Sequence, residues 1–173
     1  MIRALCQYCS PCRCVLELHA ILSKKADGAG DFAVAMTADE NNRFLRGISA
    51  GVDDYYDMLG TIDAERSDCS RAADRESIHS SIRHSIGFDK LGRQLFCALE
   101  QWMEEQLRSQ AAANVAAGDV VNSMKWNGVL ASVFAKQGKH EDALVLQKMV
   151  IDTLQRELPH DHPDLGEARR VPK

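Results

Sequence analysis

The most informative absence from this sequence is proline. Pro11 is followed by no other proline until Pro159, so the ring that breaks helices is missing from most of the chain. Glycine is also scarce, with 11 in 173 residues, while 45% of the residues are hydrophobic. A collagen-like chain and a fully disordered chain are therefore excluded. The length predicts one domain or two small ones.

A strong basic charge and long apolar runs are missing as well. Lys and Arg number 21 against 25 Asp and Glu, a formal net charge of -4 at pH 7. We therefore expect no binding to nucleic acid or to an acidic membrane, since both require a concentrated basic surface. The apolar stretch from Phe32 to Met36 is too short to span a bilayer, and no sustained apolar region marks a secretory signal. We expect a soluble cytoplasmic protein whose six cysteines are reduced thiols.

The middle of the sequence has the periodicity of helices. Ile78, Ile82 and Ile86 recur at four-residue spacing, Asp74 is placed as a cap or first-turn acid, and Gly87 is placed as a stop.

A longer helix is predicted to follow, and we expect it to fray across the alanine-rich run that ends at Gly118. These two helices make residues 73–118 a predicted helical linker region. The apolar stripe of the longer helix consists of Phe88, Leu91, Leu95, Leu99, Trp102 and Leu107.

The sequence after residue 123 predicts a helical hairpin. Ala131 on the first helix and Ala143 on the second are small enough for the two helices to approach closely, and Phe134 fills the space beside them. Gly138 allows the sharp turn between the helices. The rest of the predicted framework is Leu130, Val150, Leu154 and Pro163.

With the loop Asp161-His162-Pro163-Asp164, these residues resemble a tetratricopeptide repeat of the kinesin light chain type, over residues 124–168. The resemblance implies a mainly α fold built from such hairpins, with residues 123–168 as a single repeat. It also implies a protein-protein interaction or scaffold function, in which a protein or peptide partner contacts Lys125, Ser132 and Lys136. An unrelated helical hairpin remains the alternative. His160 and His162 are interpreted as part of the loop and not as metal ligands.

The segment also departs from the family pattern. Asn127 and Gln147 stand where the family has aromatic residues, and Gly128 and Val129 replace an asparagine pair. If the family binds peptides through those asparagines, that contact is lost here.

Four cysteines lie close together near the start of the chain: Cys6, Cys9, Cys12 and Cys14. The final gap of one residue cannot easily turn two thiolates toward one ion, so we predict neither a metal nor a cofactor.

Residues 8–36 instead resemble part of a Toll/interleukin-receptor-type (TIR) domain, with Cys14 and Glu17 at motif positions and Arg13 in place of the motif tryptophan. In the NAD-cleaving members of that family the motif glutamate is catalytic. The alternative function is therefore a remnant of a TIR-type signalling or NAD-cleaving domain fused to the repeat, with Glu17 as its acid. We favour Glu17 as a solvated helix residue, and residues 1–66 as a truncated mixed segment with at most one or two short strands.

Several serine and histidine side chains in the middle of the sequence could act as nucleophiles or bases, but we expect no enzymatic activity from them. They are interpreted as the polar face of a helix, because no nucleophile elbow accompanies them. These residues are Ser77, His79, Ser80, Ser81 and His84.

A single repeat cannot bury both of its faces. We therefore predict an under-packed apolar surface on the second helix of the hairpin, which invites a partner or self-association. The residues that crowd this helix are Leu146, Met149, Val150, Thr153 and Leu154.

Overall fold

The computed structural model of the chain describes residues 34, 36–61, 63–66, 72–159 and 162–168. Within these ranges every regular element is a helix, so the predicted mainly α fold is confirmed. The helices are α1 (Ala38–Ala50), α2 (Val52–Gly60), α3 (Ala72–Ser85), α4 (Phe88–Ala116), α5 (Val120–Lys136), α6 (His140–Glu157) and α7 (Pro163–Ala168).

Several predictions concern residues outside these ranges. They are the four clustered cysteines, Glu17 with the rest of the TIR-like motif, most of the expected strand at residues 32–36, and His160. The predicted organisation into residues 1–66, 73–118 and 123–168 stays a prediction.

Side-chain caps explain where α1 and α5 begin. At α1, the N–H of Glu40 donates to the Thr37 hydroxyl at 3.3 Å, and the N–H of Thr37 donates to the Glu40 carboxylate at 2.8 Å, which is a reciprocal capping box. At α5, the Asp119 carboxylate accepts the N–H of Asn122 at 3.1 Å. These backbone hydrogen bonds lower the pKa of Glu40 and the pKa of Asp119.

The same glycine cap closes α4 and α5. Gly118 has a φ of 77° and Gly138 a φ of 75°, a left-handed conformation that favours glycine. The N–H of the residue after each glycine donates to the carbonyl five positions back, at 2.8 and 2.9 Å, as in a Schellman motif. The predicted fraying of α4 is wrong: the helix continues to Ala116, because alanine loses no side-chain entropy in a helix.

The chain divides into two compact units, and the boundaries fall inside α1, α2 and α4. The first unit comprises the chain up to Phe44 together with Tyr55–Trp102, and the second comprises Leu45–Asp54 and Met103–Lys173.

Aromatic side chains and isoleucines form the core of the first unit. The ring of Phe44 lies 5.8 Å from the Tyr55 ring and 4.9 Å from the Trp102 ring. A separate cluster joins Ala64, Ile82 and Leu91, so the isoleucine spacing that predicted α3 does mark its buried face.

His79 differs from its predicted place on the polar face of α3. It is buried, and its ring lies 5.0 Å from the Phe88 ring in an edge-on arrangement. Ser77 and His84 are exposed, as predicted, and His84 Nδ1 lies 2.7 Å from the carbonyl of Ser80. An imidazole ring is apolar enough to pack against an aromatic ring. The prediction for His79 was wrong because it treated histidine only as a polar residue.

The second unit contains the predicted hairpin as α5 and α6. Leu130, Ala131, Phe134, Ala143, Val150 and Leu154 are all buried, as predicted. Val150 and Leu154 form one cluster with Met124 of α5 and Leu165 of α7. This cluster fixes the short helix α7, which Pro163 begins, against the hairpin.

The predicted composition of the under-packed surface is partly wrong. Leu146 is half-buried, and Val150 and Leu154 are buried because they pack against Met124 of α5 and Leu165 of α7. The exposed apolar residues of α6 are Leu144, Val145 and Met149.

Candidate functional site

A groove of about 680 Å³ follows one face of α5 in the second unit. The lining residues of α5 recur at spacings of three and four, which places them on one side of the helix. They are Met124, Lys125, Gly128, Val129, Ser132, Ala135 and Lys136.

Three other segments of the second unit complete the groove. Residues 48–53, where α1 gives way to α2, line it, and so does Asp164 of α7. Gln147, Val150 and Leu154 of α6 supply its deepest surface, since all three are buried. The base of the groove therefore combines two apolar side chains with the Gln147 amide, and charged side chains stand along its margins.

Small side chains keep the groove open along its middle. Gly128, Ser132 and Ala135 succeed one another along α5. A Cβ atom added at Gly128 would meet nothing within 4 Å. The surface beside Gly128 is consequently free to receive a side chain or a backbone segment from outside.

A lysine stands near each end of the lined face of α5, and each lysine is held by an aspartate. Lys125 Nζ lies 3.2 Å from Asp164 Oδ2, and Lys136 Nζ pairs with Asp53 Oδ1. Lys136 follows Lys125 by eleven positions, which corresponds to about 16 Å along the helix axis.

The two ion pairs differ in exposure. The Asp53 side chain is 73% exposed, whereas the Asp164 side chain is 19% exposed. A pair with so exposed an aspartate contributes about 0–1 kcal/mol and exchanges readily with water or another anion. The Lys136 end is therefore the more open to a ligand, while the Lys125–Asp164 pair ties α7 to α5.

Ser132 lies between the two lysines. Its hydroxyl donates to the carbonyl of Gly128 at 3.2 Å, the bond to the preceding turn that serine commonly makes in helices. The hydroxyl oxygen keeps its acceptor capacity, so it can receive an N–H from a ligand backbone.

The structure brings the three sequence-predicted binding residues, Lys125, Ser132 and Lys136, to one groove. Sequence reasoning missed residues 48–53 and the part played by Asp164. Asp164 had a signal, because it belongs to the loop after α6. Residues 48–53 had none, since they are far from α5 in sequence and meet it only through tertiary packing.

A second polar cluster in this unit is structural. The Arg108 guanidinium lies 5.5 Å and Lys139 Nζ 5.2 Å from the centre of the Phe134 ring, and Lys139 Nζ pairs with Glu104 at 3.0 Å. These cation–π contacts and this ion pair anchor the turn between α5 and α6 to α4.

Neither a metal site nor a membrane-spanning helix is indicated in the described ranges. These ranges contain no group of three or more His, Cys, Asp or Glu side chains that could hold a metal ion. No helix among them is long and apolar enough to cross a membrane.

No protein-family model, curated protein or solved structure matches this chain. The resemblances to the tetratricopeptide and TIR families stay predictions, carried by the residues quoted for them.

Proposed function

We propose that the chain is a protein-interaction module that binds an extended peptide segment of a partner in the α5 groove. The observation that supports this most directly is the shared location of Lys125, Ser132 and Lys136 along one open groove. A scaffold function of the kind expected from a tetratricopeptide-type repeat requires such a surface.

The dimensions of the groove suit a short peptide. Its volume of about 680 Å³ lies within the range of ligand sites in proteins. An extended chain advances about 3.3 Å per residue, so the distance of about 16 Å between the lysine positions accommodates roughly five residues.

The chemistry of the groove favours a peptide with an acidic side chain at the Lys136 end. A ligand carboxylate can replace the exposed Asp53 carboxylate on Lys136, because that ion pair is weak in water. Ser132 accepts a backbone N–H near the middle of the bound segment. Small apolar side chains of the peptide cover the half-buried Val129 and Ala135, and the burial of these apolar side chains supplies most of the affinity.

The experiment is a selection of peptides by the purified full chain from a library of random short peptides, followed by measurement of Kd for the enriched peptides. The decisive variant is Gly128→Leu, which places a branched side chain in the groove at a position where an added Cβ meets nothing within 4 Å. The matched control is Gly47→Leu, at another helical glycine where an added Cβ meets nothing within 4 Å and which does not line the groove.

We expect enriched peptides to be rich in Asp and Glu, and to bind Gly128→Leu at least about tenfold more weakly, equivalent to about 1.4 kcal/mol. Gly47→Leu should bind them normally. Lys136→Ala should remove the preference for acidic peptides, whereas Lys148→Ala, on the exposed side of α6, should not. Peptides that bind Gly128→Leu as tightly as the unaltered chain would contradict the proposal, and so would a selection that enriches no peptide.

A further inference from the structure

The outer face of α6 carries an exposed apolar patch that the groove does not use. Four large hydrophobic side chains are exposed in the described part of the chain, and three of them lie within six positions of α6. Leu144 is 59% exposed, Val145 72% and Met149 42%. So concentrated a set indicates an interaction surface.

Two opposite charges flank the centre of this patch. Glu141 precedes Leu144 by three positions, and Lys148 follows Val145 by three positions. Glu141 and Lys148 are two helical turns apart, so they lie on the same face of α6. Both are exposed, and neither makes an ion pair with any residue in the described ranges.

We propose that two copies of this chain associate through α6, with the two helices antiparallel about a two-fold axis that passes between Leu144 and Val145. Such an axis sets Leu144 of each copy opposite Val145 of the other. It also sets Glu141 of each copy opposite Lys148 of the other. One arrangement therefore covers the most exposed apolar side chains and pairs all four charges.

The charge pattern identifies a second copy as the occupant. A two-fold interface uses the same patch on both subunits, so the patch must be complementary to itself. Glu141 and Lys148 are placed symmetrically about Leu144 and Val145, which gives that self-complementarity only when the helices are antiparallel. A parallel pairing would set Glu141 against Glu141 and Lys148 against Lys148, and like charges in contact oppose association.

The size of the patch indicates a weak association. Three apolar side chains and one pair of charges per copy cover much less than the roughly 1,600 Å² of a standard stable interface. We therefore expect a monomer–dimer equilibrium with a Kd in the micromolar to submillimolar range.

The test reverses the charges at positions 141 and 148 and measures the dimer Kd. The method is sedimentation equilibrium of the full chain at micromolar to submillimolar concentrations. Glu141→Lys alone places like positive charges at both contacts, and Lys148→Glu alone places like negative charges there. Each single variant should raise the Kd at least about tenfold. An equimolar mixture of the two variants should restore association, because every contact in the mixed dimer again joins opposite charges.

Control variants separate this effect from a general change of net charge. Glu76→Lys on α3 and Lys90→Glu on α4 alter the net charge by the same amounts at exposed positions on other helices. Each should leave the Kd unchanged, and circular dichroism should show all four variants folded.

Three results would overturn the proposal. They are a strictly monomeric chain at millimolar concentration, single variants at positions 141 and 148 that associate like the unaltered chain, and a mixture that fails to restore association. None of them bears on peptide binding in the α5 groove.

Discussion

Replacing Leu154 by alanine should destabilise the second unit severely, whereas the same change at Leu144 should not. Both leucines lie on α6, and both substitutions remove the same atoms. Leu154 is 2% exposed and packs with Met124, Val150 and Leu165, while Leu144 is 59% exposed. The difference in unfolding free energy between the two variants therefore reports the effect of burial, because the change in helix propensity is the same in both.

The magnitude follows from the packing around Leu154. A buried Leu→Ala change costs about 2–5 kcal/mol, the sum of lost transfer free energy and the cavity left behind. Leu154 joins α6 to α5 and α7, so its surroundings cannot collapse without moving a helix, and we expect about 3 kcal/mol. That change alters the folding equilibrium by roughly a hundredfold or more. Surface substitutions such as Leu144→Ala usually stay within about 0.5 kcal/mol.

The assay is urea unfolding followed by circular dichroism, on protein dilute enough to be monomeric. With a slope of about 1–3 kcal/mol per molar urea, Leu154→Ala should lower the unfolding midpoint by about 1–3 M, and Leu144→Ala should hardly move it. Equal midpoints for the two variants would refute the assigned packing of α6.

Two further predictions concern the backbone and a buried hydroxyl. In the same urea assay, Gly138→Ala should lower the free energy of unfolding by about 1–2 kcal/mol, because a φ of 75° is strained for a residue with a Cβ. Gly128→Ala, in the interior of a helix, should raise the free energy of unfolding by about 0.5–1 kcal/mol. Equal effects of the two substitutions would contradict the assigned turn. Burial, assisted by the charge of Glu100, raises the pKa of Tyr55 above its ordinary value, so the Tyr55 contribution to stability is complete below about pH 10 and is lost at higher pH as the unfolded chain ionises. Tyr55→Phe should remove that contribution to the alkaline loss, and it should cost about 0.5–1.5 kcal/mol at neutral pH because the hydroxyl donates to the Leu99 carbonyl at 3.3 Å. An alkaline unfolding profile identical in Tyr55→Phe and the unaltered chain would contradict this.

The hairpin was predictable from sequence because its signals are local. Ala131, Phe134 and Ala143 are buried, and Gly138 makes the turn, as their spacing indicates. The isoleucines of α3 were informative for the same reason. Periodicity reports which side of a helix is apolar, and the isoleucine side of α3 is the buried one.

Predictions from local sequence patterns were wrong or incomplete where tertiary contacts or side-chain chemistry determine the position of a residue. His79 was assigned to a polar face, yet Phe88 offers it a ring to pack against. The helix α2 was missed, although Val52, Tyr55, Tyr56 and Leu59 have helical spacing, because its acidic residues obscured the pattern.

The groove shows the same division between local and tertiary information. Lys125, Ser132 and Lys136 were predicted through the resemblance, and all three line it. Residues 48–53, which complete it, reach α5 only once the second unit is assembled. Asp53 is an example of what sequence patterns do not reveal. Its ion pair with Lys136 joins two positions that no motif or spacing in the sequence relates to each other.

The central claim, that the α5 groove binds peptide, is tested most directly by nuclear magnetic resonance of the isotopically labelled full chain during titration with an enriched acidic peptide. The account predicts that the amide signals that shift most belong to α5 between Lys125 and Lys136 and to residues 48–53, and that signals of α3 stay in place. Shifts centred on α3, or spread without relation to the groove, would contradict it.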